Sequence, residues 1–348
     1  MNYVRNAWYV AAWTHEIESG KTFAITILDE PVVLYRGESG RLAALEDRCV
    51  HRMAPLSLGR CEGDRLRCMY HGLLFSPEGK VVEIPGQEQV PPNARVRSYP
   101  VAERHTWVWV WMGDPAQSDE ALIPPAVGLD HPDYILGHGH LDYEAEARLI
   151  NDNLLDFSHL SFVHANSFGA GPEFANTQAK MTPLERGMRY ERWIENTMGS
   201  SSRKSDKPMD NYMTYDFLIP GVLLMTGGIY PQGTAKACNY GVPEGEAVGG
   251  VTFTSQAVTP LTAKTSRYFF SWGPHRDHGD EAMRDALMQL ADMAFMEDKV
   301  MIEAQQKVID RTRDPRVMPT AHDKGVTMFN RLVERLARAE AEGSRDAA

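Results

Sequence analysis

Cysteine is scarce in this chain. Its 348 residues hold four, Cys49, Cys61, Cys68 and Cys238, too few to staple a fold of this length with disulfides. No run of ~20 apolar residues occurs, which argues against a membrane-spanning helix. The opening stretch carries a short apolar patch broken at His15 and Glu16, not the continuous apolar core of a secretion signal, so a cytoplasmic location is expected. Basic charge also falls short: 36 Lys and Arg against 47 Asp and Glu leave a formal charge of −11. That balance argues against nucleic acid or an anionic membrane as partner. There is no Gly-rich dinucleotide fingerprint. What remains is an ordinary globular composition, 43% hydrophobic and 24% charged. Such a chain can bury a large core without a metal to prop it up, and its length predicts two domains.

Residues 1 to 115 read as β-rich. Pro31 to Tyr35, a turn at Gly37 to Gly40, and Leu42 to Leu45 form a predicted hairpin. Ser76-Pro-Glu-Gly79 turns between two further apolar segments, and Trp107 to Trp111 alternates Trp and Val, which predicts a strand covered on both faces. Gly113-Asp-Pro115 closes the segment. From about 140 the pattern changes. A helical pattern covers 147–164, and a β-rich stretch punctuated by Gly runs from about 180 to 275. A long amphipathic helix then follows from about Asp280 to Asp310, with Leu287, Leu290, Ala291, Ala294 and Met301 near helical spacing. The charged, Ala-rich residues from Glu334 onward read as a solvated helix fraying into a tail.

Two constellations carry chemistry. The first is Cys49-Val-His51, sixteen residues, then Cys68-Met-Tyr-His71. In zinc fingers built from two Cys and two His, the cysteines come as one pair and the histidines as another. Here each pair mixes a thiolate with an imidazole, so two short loops would each supply one sulfur and one nitrogen. A Rieske centre uses that set, two Cys on one iron and two His on the other. The neutral imidazoles make reduction easier, with potentials roughly between −150 and +300 mV against about −400 mV for all-Cys plant-type clusters. A structural zinc site is the competing reading.

The second is Asn151-Asp-Asn-Leu-Leu-Asp156-Phe-Ser-His159-Leu-Ser-Phe-Val-His164. Two His and one carboxylate make a facial triad that leaves iron positions open for O2 and substrate. His159 and His164 lie five apart, about 140° on an ideal helix, so the helix must end or bulge for them to converge. Asp156, three before His159, is placed for its carboxylate to hydrogen-bond the far imidazole nitrogen. The third ligand is expected on the long helix, with Asp298 the candidate and Glu297 its rival.

Together these motifs resemble the oxygenase components of Rieske non-haem iron monooxygenases of the vanillate, dicamba and toluenesulfonate group. The likeness includes Val4-Arg-Asn-Ala-Trp-Tyr-Val-Ala11, Cys49-Val-His-Arg-Met-Ala-Pro-Leu-Ser57, Tyr70-His-Gly72, Trp109 to Asp114, Asp152 to Asp156 and Glu297-Asp-Lys299. Val50 departs from the Pro that many relatives place between the Cys and the His, which alters loop stiffness but not the ligands. The resemblance implies an α+β chain: an N-terminal all-β Rieske [2Fe-2S] domain over 1–115, then a helix-grip catalytic domain over 116–348 with an antiparallel sheet and helices. It implies a 2Fe-2S cluster on Cys49, His51, Cys68 and His71, and a mononuclear Fe(II) on His159, His164 and Asp298. Asn153 would lie near that iron. Asp156 would bridge it to the cluster of a neighbouring subunit in a homotrimer, a closed ring of repeated contacts.

Electrons would arrive from a separate NADH-dependent reductase carrying flavin and 2Fe-2S. The expected reaction is hydroxylation of a methyl or O-methyl group of an aromatic acid, the O-methyl product losing formaldehyde. Gln256, Trp272, Gln289 and Met293 are candidate pocket residues, and Arg267 and Arg276 candidate partners for a substrate carboxylate or sulfonate. Two alternatives stand beside this: an arene cis-dihydroxylating dioxygenase, and an electron carrier without the second iron.

Overall fold

The computed structural model describes residues 3–165, 167–168, 173–200 and 203–346. The chain divides into two units. One comprises Met1–Ile123 with Thr259–Ala263 and Glu340–Ala348, the other Pro124–Val258 and Lys264–Ala339. The expected cut after residue 115 falls inside the first unit, at the 3-10 turn Pro115–Gln117.

The first unit is built from strands β1 (Trp8–Trp13), β2 (Thr22–Ile27), β3 (Glu30–Arg36), β4 (Leu42–Glu46), β5 (Arg60–Glu62), β6 (Arg65–Arg67), β7 (Leu74–Phe75), β8 (Val81–Glu83), β9 (Ser98–Tyr99), β10 (Val101–Arg104) and β11 (Trp107–Trp111). They form three sheets, ordered β1-β11-β10, β2-β3-β4-β9 and β5-β6-β7-β8. Two-residue turns at Leu28-Asp29 and His105-Thr106 both have positive φ, the twist that suits tight hairpins. The predicted hairpin is β3–β4, with Val33 opposite Leu45. Central β11 pairs with β1 and β10 and is buried along its whole length, as its Trp/Val alternation predicted.

The second unit holds one antiparallel sheet of seven strands: β12 (Gly137–Tyr143), β13 (Lys180–Leu184), β14 (Gly187–Ser200), β15 (Arg203–Leu218), β16 (Val222–Pro231), β17 (Gly249–Thr262) and β18 (Thr265–Pro274), in the order β12-β18-β17-β16-β15-β14-β13. The helices are α1 (Ala147–Leu155), α2 (Glu173–Asn176), α3 (Thr234–Ala237), α4 (Glu281–Arg311) and α5 (Lys324–Asp346). Phe295 of α4 packs edge-on against Phe270, Phe329 of α5 against Phe217, and Phe157 stacks on Tyr215. A β-rich first unit followed by a sheet-and-helix second unit is the α+β arrangement expected from the sequence.

Three local expectations shift. The helix expected over 147–164 stops at Leu155, and a 3-10 turn takes over at Phe157–Ser161. Strand β12, with His and Gly alternating, falls where no strand was expected. Met301 is 57% exposed and does not belong to the buried stripe of α4. That stripe is Leu287, Ala291, Ala294, Asp298 and Ile302, at the i, i+3, i+4 spacing of one helix face. A carboxylate sits inside an apolar stripe. No helix among the described residues is long and apolar enough to cross a membrane.

Candidate metal centres

The two Cys/His segments of the first unit fold into matched loops. The Cys49 N–H donates to the Ala54 carbonyl at 2.7 Å, and the Cys68 N–H to the Leu73 carbonyl at 2.9 Å, each five residues on. The Cys49 carbonyl accepts from Met53 and the Cys68 carbonyl from Gly72, both at 3.0 Å, each four residues on. Met53 and Gly72 both have positive φ, 59° and 76°. The same backbone path is therefore built twice. At the second copy a side chain would be strained by φ and would meet the Pro85 ring 2.7 Å away, so glycine suits it.

Cys49 and Cys68 are buried in an apolar cluster with Val33, Tyr35, Leu45, Leu56 and Phe75. Burial pushes the Cys49 thiol up, while the backbone N–H groups of His51 and Arg52 act in the opposite direction. Donors aimed at a sulfur favour its thiolate, the form that binds metal. The His51 and His71 rings lie 4.5 Å apart between centroids and are exposed. Two buried sulfurs and two exposed imidazoles thus suit a cluster set at the edge of the unit.

The second centre is compact. One donor atom from each of His159, His164 and Asp298 lies within 4.8 Å of the others. Asp298 Oδ1 is 3.6 Å from His159 Nε2, and Asp298 Oδ2 is 3.3 Å from His164 Nε2. His164 and Asp298 are 1% and 6% exposed. The break after α1 makes the convergence possible: the Asp156 carboxylate accepts from the Ser158 N–H at 2.8 Å and caps the 3-10 turn. His159 Nδ1 bonds the Asp156 backbone carbonyl. The expected bond from the Asp156 carboxylate to that imidazole is not made: the backbone carbonyl of Asp156 takes Nδ1, and Oδ1 of the carboxylate caps Ser158. Asn153, one turn earlier, donates to Asp298 Oδ1 at 3.0 Å and lies 3.4 Å from His159 Nε2.

Glu297 does not join the triad. Its carboxylate takes the outer nitrogen of His164, Nδ1, at 2.9 Å and accepts from Ser167 Oγ at 2.6 Å. With both Nδ1 atoms engaged outward, each Nε2 presents a lone pair. His164 Nε2 is buried without a hydrogen-bond partner, facing a carboxylate oxygen. Acceptors crowded together in a dry site call for a cation between them, and two imidazoles with one carboxylate suit Fe(II). Desolvation pushes the His159 imidazole down, with the Asp298 charge opposing it. Desolvation acts on His164 too, but the neighbouring carboxylates of Asp298 and then Glu297 outweigh it and raise that group.

The remaining candidates are dispersed. Gln256 is buried on β17, with Nε2 donating to Thr254 Oγ1 at 3.1 Å and Oε1 unpartnered. Trp272 meets the Phe168 ring at 6.1 Å, and Phe168 meets His164 at 5.0 Å. Gln289 and Met293 are both exposed on α4. Arg267 is engaged by Asp142 at 2.6 and 2.8 Å, and Arg276 by the Pro132 carbonyl at 2.6 Å. The sequence reading passed over Arg192. It is 9% exposed on β14, beneath the Phe157 ring, with Nε and Nη1 unpartnered. Burial lowers its pKa, with Tyr215 and then Asp156 opposing. Alternation along β14 could have marked it, since it shares a face with Met188 and Tyr190.

Comparison with known proteins agrees with this layout. Residues 7–100 match the Rieske [2Fe-2S] domain, and residues 143–339 match the vanillate O-demethylase oxygenase C-terminal domain. The toluene-4-sulfonate monooxygenase system iron-sulfur subunit of Comamonas testosteroni is 41% identical, over 98% of this chain and 99% of its own. A vanillate O-demethylase oxygenase subunit of a Pseudomonas species is 32% identical, over 98% and 96%. The crystal structure of dicamba monooxygenase bound to 3,6-dichlorosalicylic acid superposes with a TM-score of 0.88 at 30% identity, covering 98% of this chain and 99% of that one. A Rieske domain joined to a catalytic unit with an iron triad of two His and one Asp defines the oxygenase component of a Rieske non-haem iron enzyme. This chain belongs to the vanillate, dicamba and toluenesulfonate monooxygenase family.

Proposed function

We propose that the chain hydroxylates a methyl or O-methyl substituent of an aromatic acid, with electrons supplied by a separate NADH-dependent reductase. The observation that carries the reading is the buried His159, His164 and Asp298 triad within 4.8 Å, in a chain that also has a Rieske domain. The relatives named for toluene-4-sulfonate, vanillate and dicamba support an anionic, substituted arene. We assign the cluster to Cys49, His51, Cys68 and His71, and the mononuclear iron to His159, His164 and Asp298. Bound there, the iron supplies activation of O2.

The chain's own residues prepare that site. Asn153 donates to Asp298 Oδ1 at 3.0 Å, which orients the carboxylate with its other oxygen toward His164. The Asp156 carbonyl holds His159 with Nε2 inward, and the 1% exposure of His164 keeps bulk water off its ring. Asp156 is assigned to the link between this site and the cluster of a neighbouring subunit in a trimer. Gln256, with its unpartnered Oε1, and Trp272 are assigned to the substrate cavity.

The test is oxygen consumption by the oxygenase with a surrogate flavin reductase, across toluene-4-sulfonate, vanillate and related acids. Coupled O2 uptake with an alcohol product or released formaldehyde, carrying one atom from labelled O2, is expected. Two labelled atoms in one product would point to cis-dihydroxylation. O2 uptake with no member of the panel would remove the aromatic-acid assignment.

A further inference from the structure

The two imidazoles of the triad are held by different means. His159 leans outward on a neutral backbone carbonyl, whereas His164 leans on the Glu297 carboxylate at 2.9 Å. Glu297 and Asp298 are consecutive on α4, so one helix position meets each ring nitrogen of His164: Asp298 at Nε2 and Glu297 at Nδ1. Ser167 closes the arrangement by donating to the same Glu297 oxygen at 2.6 Å. A carboxylate behind an imidazole fixes its tautomer, orients its plane and increases its basicity toward a metal. Glu297 meets His164 at Nδ1, the ring nitrogen that does not face Asp298. Its action on that space passes through His164.

We propose that Glu297 is a positioning residue of the iron site, which presents His164 Nε2 to the metal and sets how tightly the metal is held. The proposal rests on the assignment of His159, His164 and Asp298 as iron ligands. An alternative tie to a backbone group would hold the ring without adding negative charge, so the two effects of Glu297, orientation and charge, are separable. Glu297→Gln keeps an oxygen that accepts from Nδ1–H and removes the charge. Glu297→Ala removes both. Ser167→Ala leaves the His164 bond and removes the second hydrogen bond to that same Glu297 oxygen.

The experiment uses the whole protein with its cluster in place. Mononuclear iron is stripped with a mild chelator and Fe(II) is titrated back anaerobically in competition with the chelator. The electron-spin signal of the nitric-oxide adduct reports site geometry. Glu297→Ala is expected to weaken Fe(II) binding about 10- to 100-fold, the range found when such outer partners of metal-bound histidine are removed. Glu297→Gln should fall between Ala and the parent, and Ser167→Ala should lose less than either. An unchanged visible spectrum of the cluster and an unchanged melting midpoint identify variants that remain folded. If Ala does not fold, the Gln variant carries the test. Parent-like Fe(II) affinity and adduct signal in the folded Glu297 variants would overturn the proposal. Failure of the unmodified protein to rebind Fe(II) at all would instead overturn the ligand assignment beneath it.

Discussion

Asp298 and Glu297 are neighbours in sequence with opposite duties, and the difference is geometric. Successive helix residues point about 100° apart, so one reaches into the cluster of donors and the other passes behind it. Asp298 is almost fully buried, accepts from Asn153 and lies close to both inward imidazole nitrogens. Removing it takes away one of three ligands and leaves the Asn153 amide without that acceptor. Asp298→Ala is therefore expected to lose the mononuclear iron and keep the cluster, iron falling from about three to about two per chain. Metal analysis alongside the Rieske electron-spin signal checks this, and three irons retained would remove Asp298 from the site. The residue types were legible in the sequence because thiolates and imidazoles in mixed pairs have few other uses. Asp298 was the candidate ahead of Glu297, and continuing the Leu287, Ala291, Ala294 stripe by one step lands on it. A charged residue at an apolar helix position demands a partner, and that signal favours Asp298 over the half-exposed Glu297.

Asp152 raises a related question at the scale of elements, because it ties α1 to α5. Its carboxylate accepts from Asn330 at 2.9 Å and lies 3.6 Å from Arg148. Burial pushes its pKa up from 3.8 to about 6, with the Asn330 bond opposing. A carboxyl raised on folding stabilises the protein below its unfolded value, and that contribution is lost as pH rises through the folded value. Above pH 6 the ionised group thus costs stability, about 1–2 kcal/mol once its 28% side-chain exposure is allowed for. Asp152→Asn imitates the protonated form. The variant should match the parent below about pH 4, gain on it between pH 4 and 6, and hold a constant lead above that. Denaturant melts across that range measure it, and a lead that shrinks with rising pH would contradict the assigned burial. The element itself shows where sequence reading stops. Apolar spacing continues past Leu155 through Phe157, so periodicity extends the helix. What ends it is the Asp156 carboxylate capping Ser158, a local competition between side chain and backbone that periodicity does not register. The same break supplies the carbonyl that holds His159, so the misread boundary is part of the site.

For the molecule as a whole, the cluster loops belong to the first unit and the iron triad to the second, and electrons must pass between them. The passage can run within one chain or from one chain to the next around a closed ring, as repeated head-to-tail contacts allow. Subunit mixing separates the two. A chain carrying Cys68→Ser lacks one cluster ligand and keeps the triad, while a chain carrying Asp298→Ala keeps the cluster and lacks one iron ligand. Each assembled alone should be inactive. Coexpressed with two affinity tags, so that only mixed assemblies are recovered, they place intact iron sites beside intact clusters on different chains. In a trimeric ring that holds both chains, with transfer running in one direction, about a third of the positions pair a good iron with a good neighbouring cluster. Activity of that order, absent from both parents, is the expected result, and adding Asp156→Ala to the Cys68→Ser chain should abolish it. Mixed assemblies that form and yet stay inactive would mean that no electron crosses between chains, and would confine Asp156 to capping its own turn.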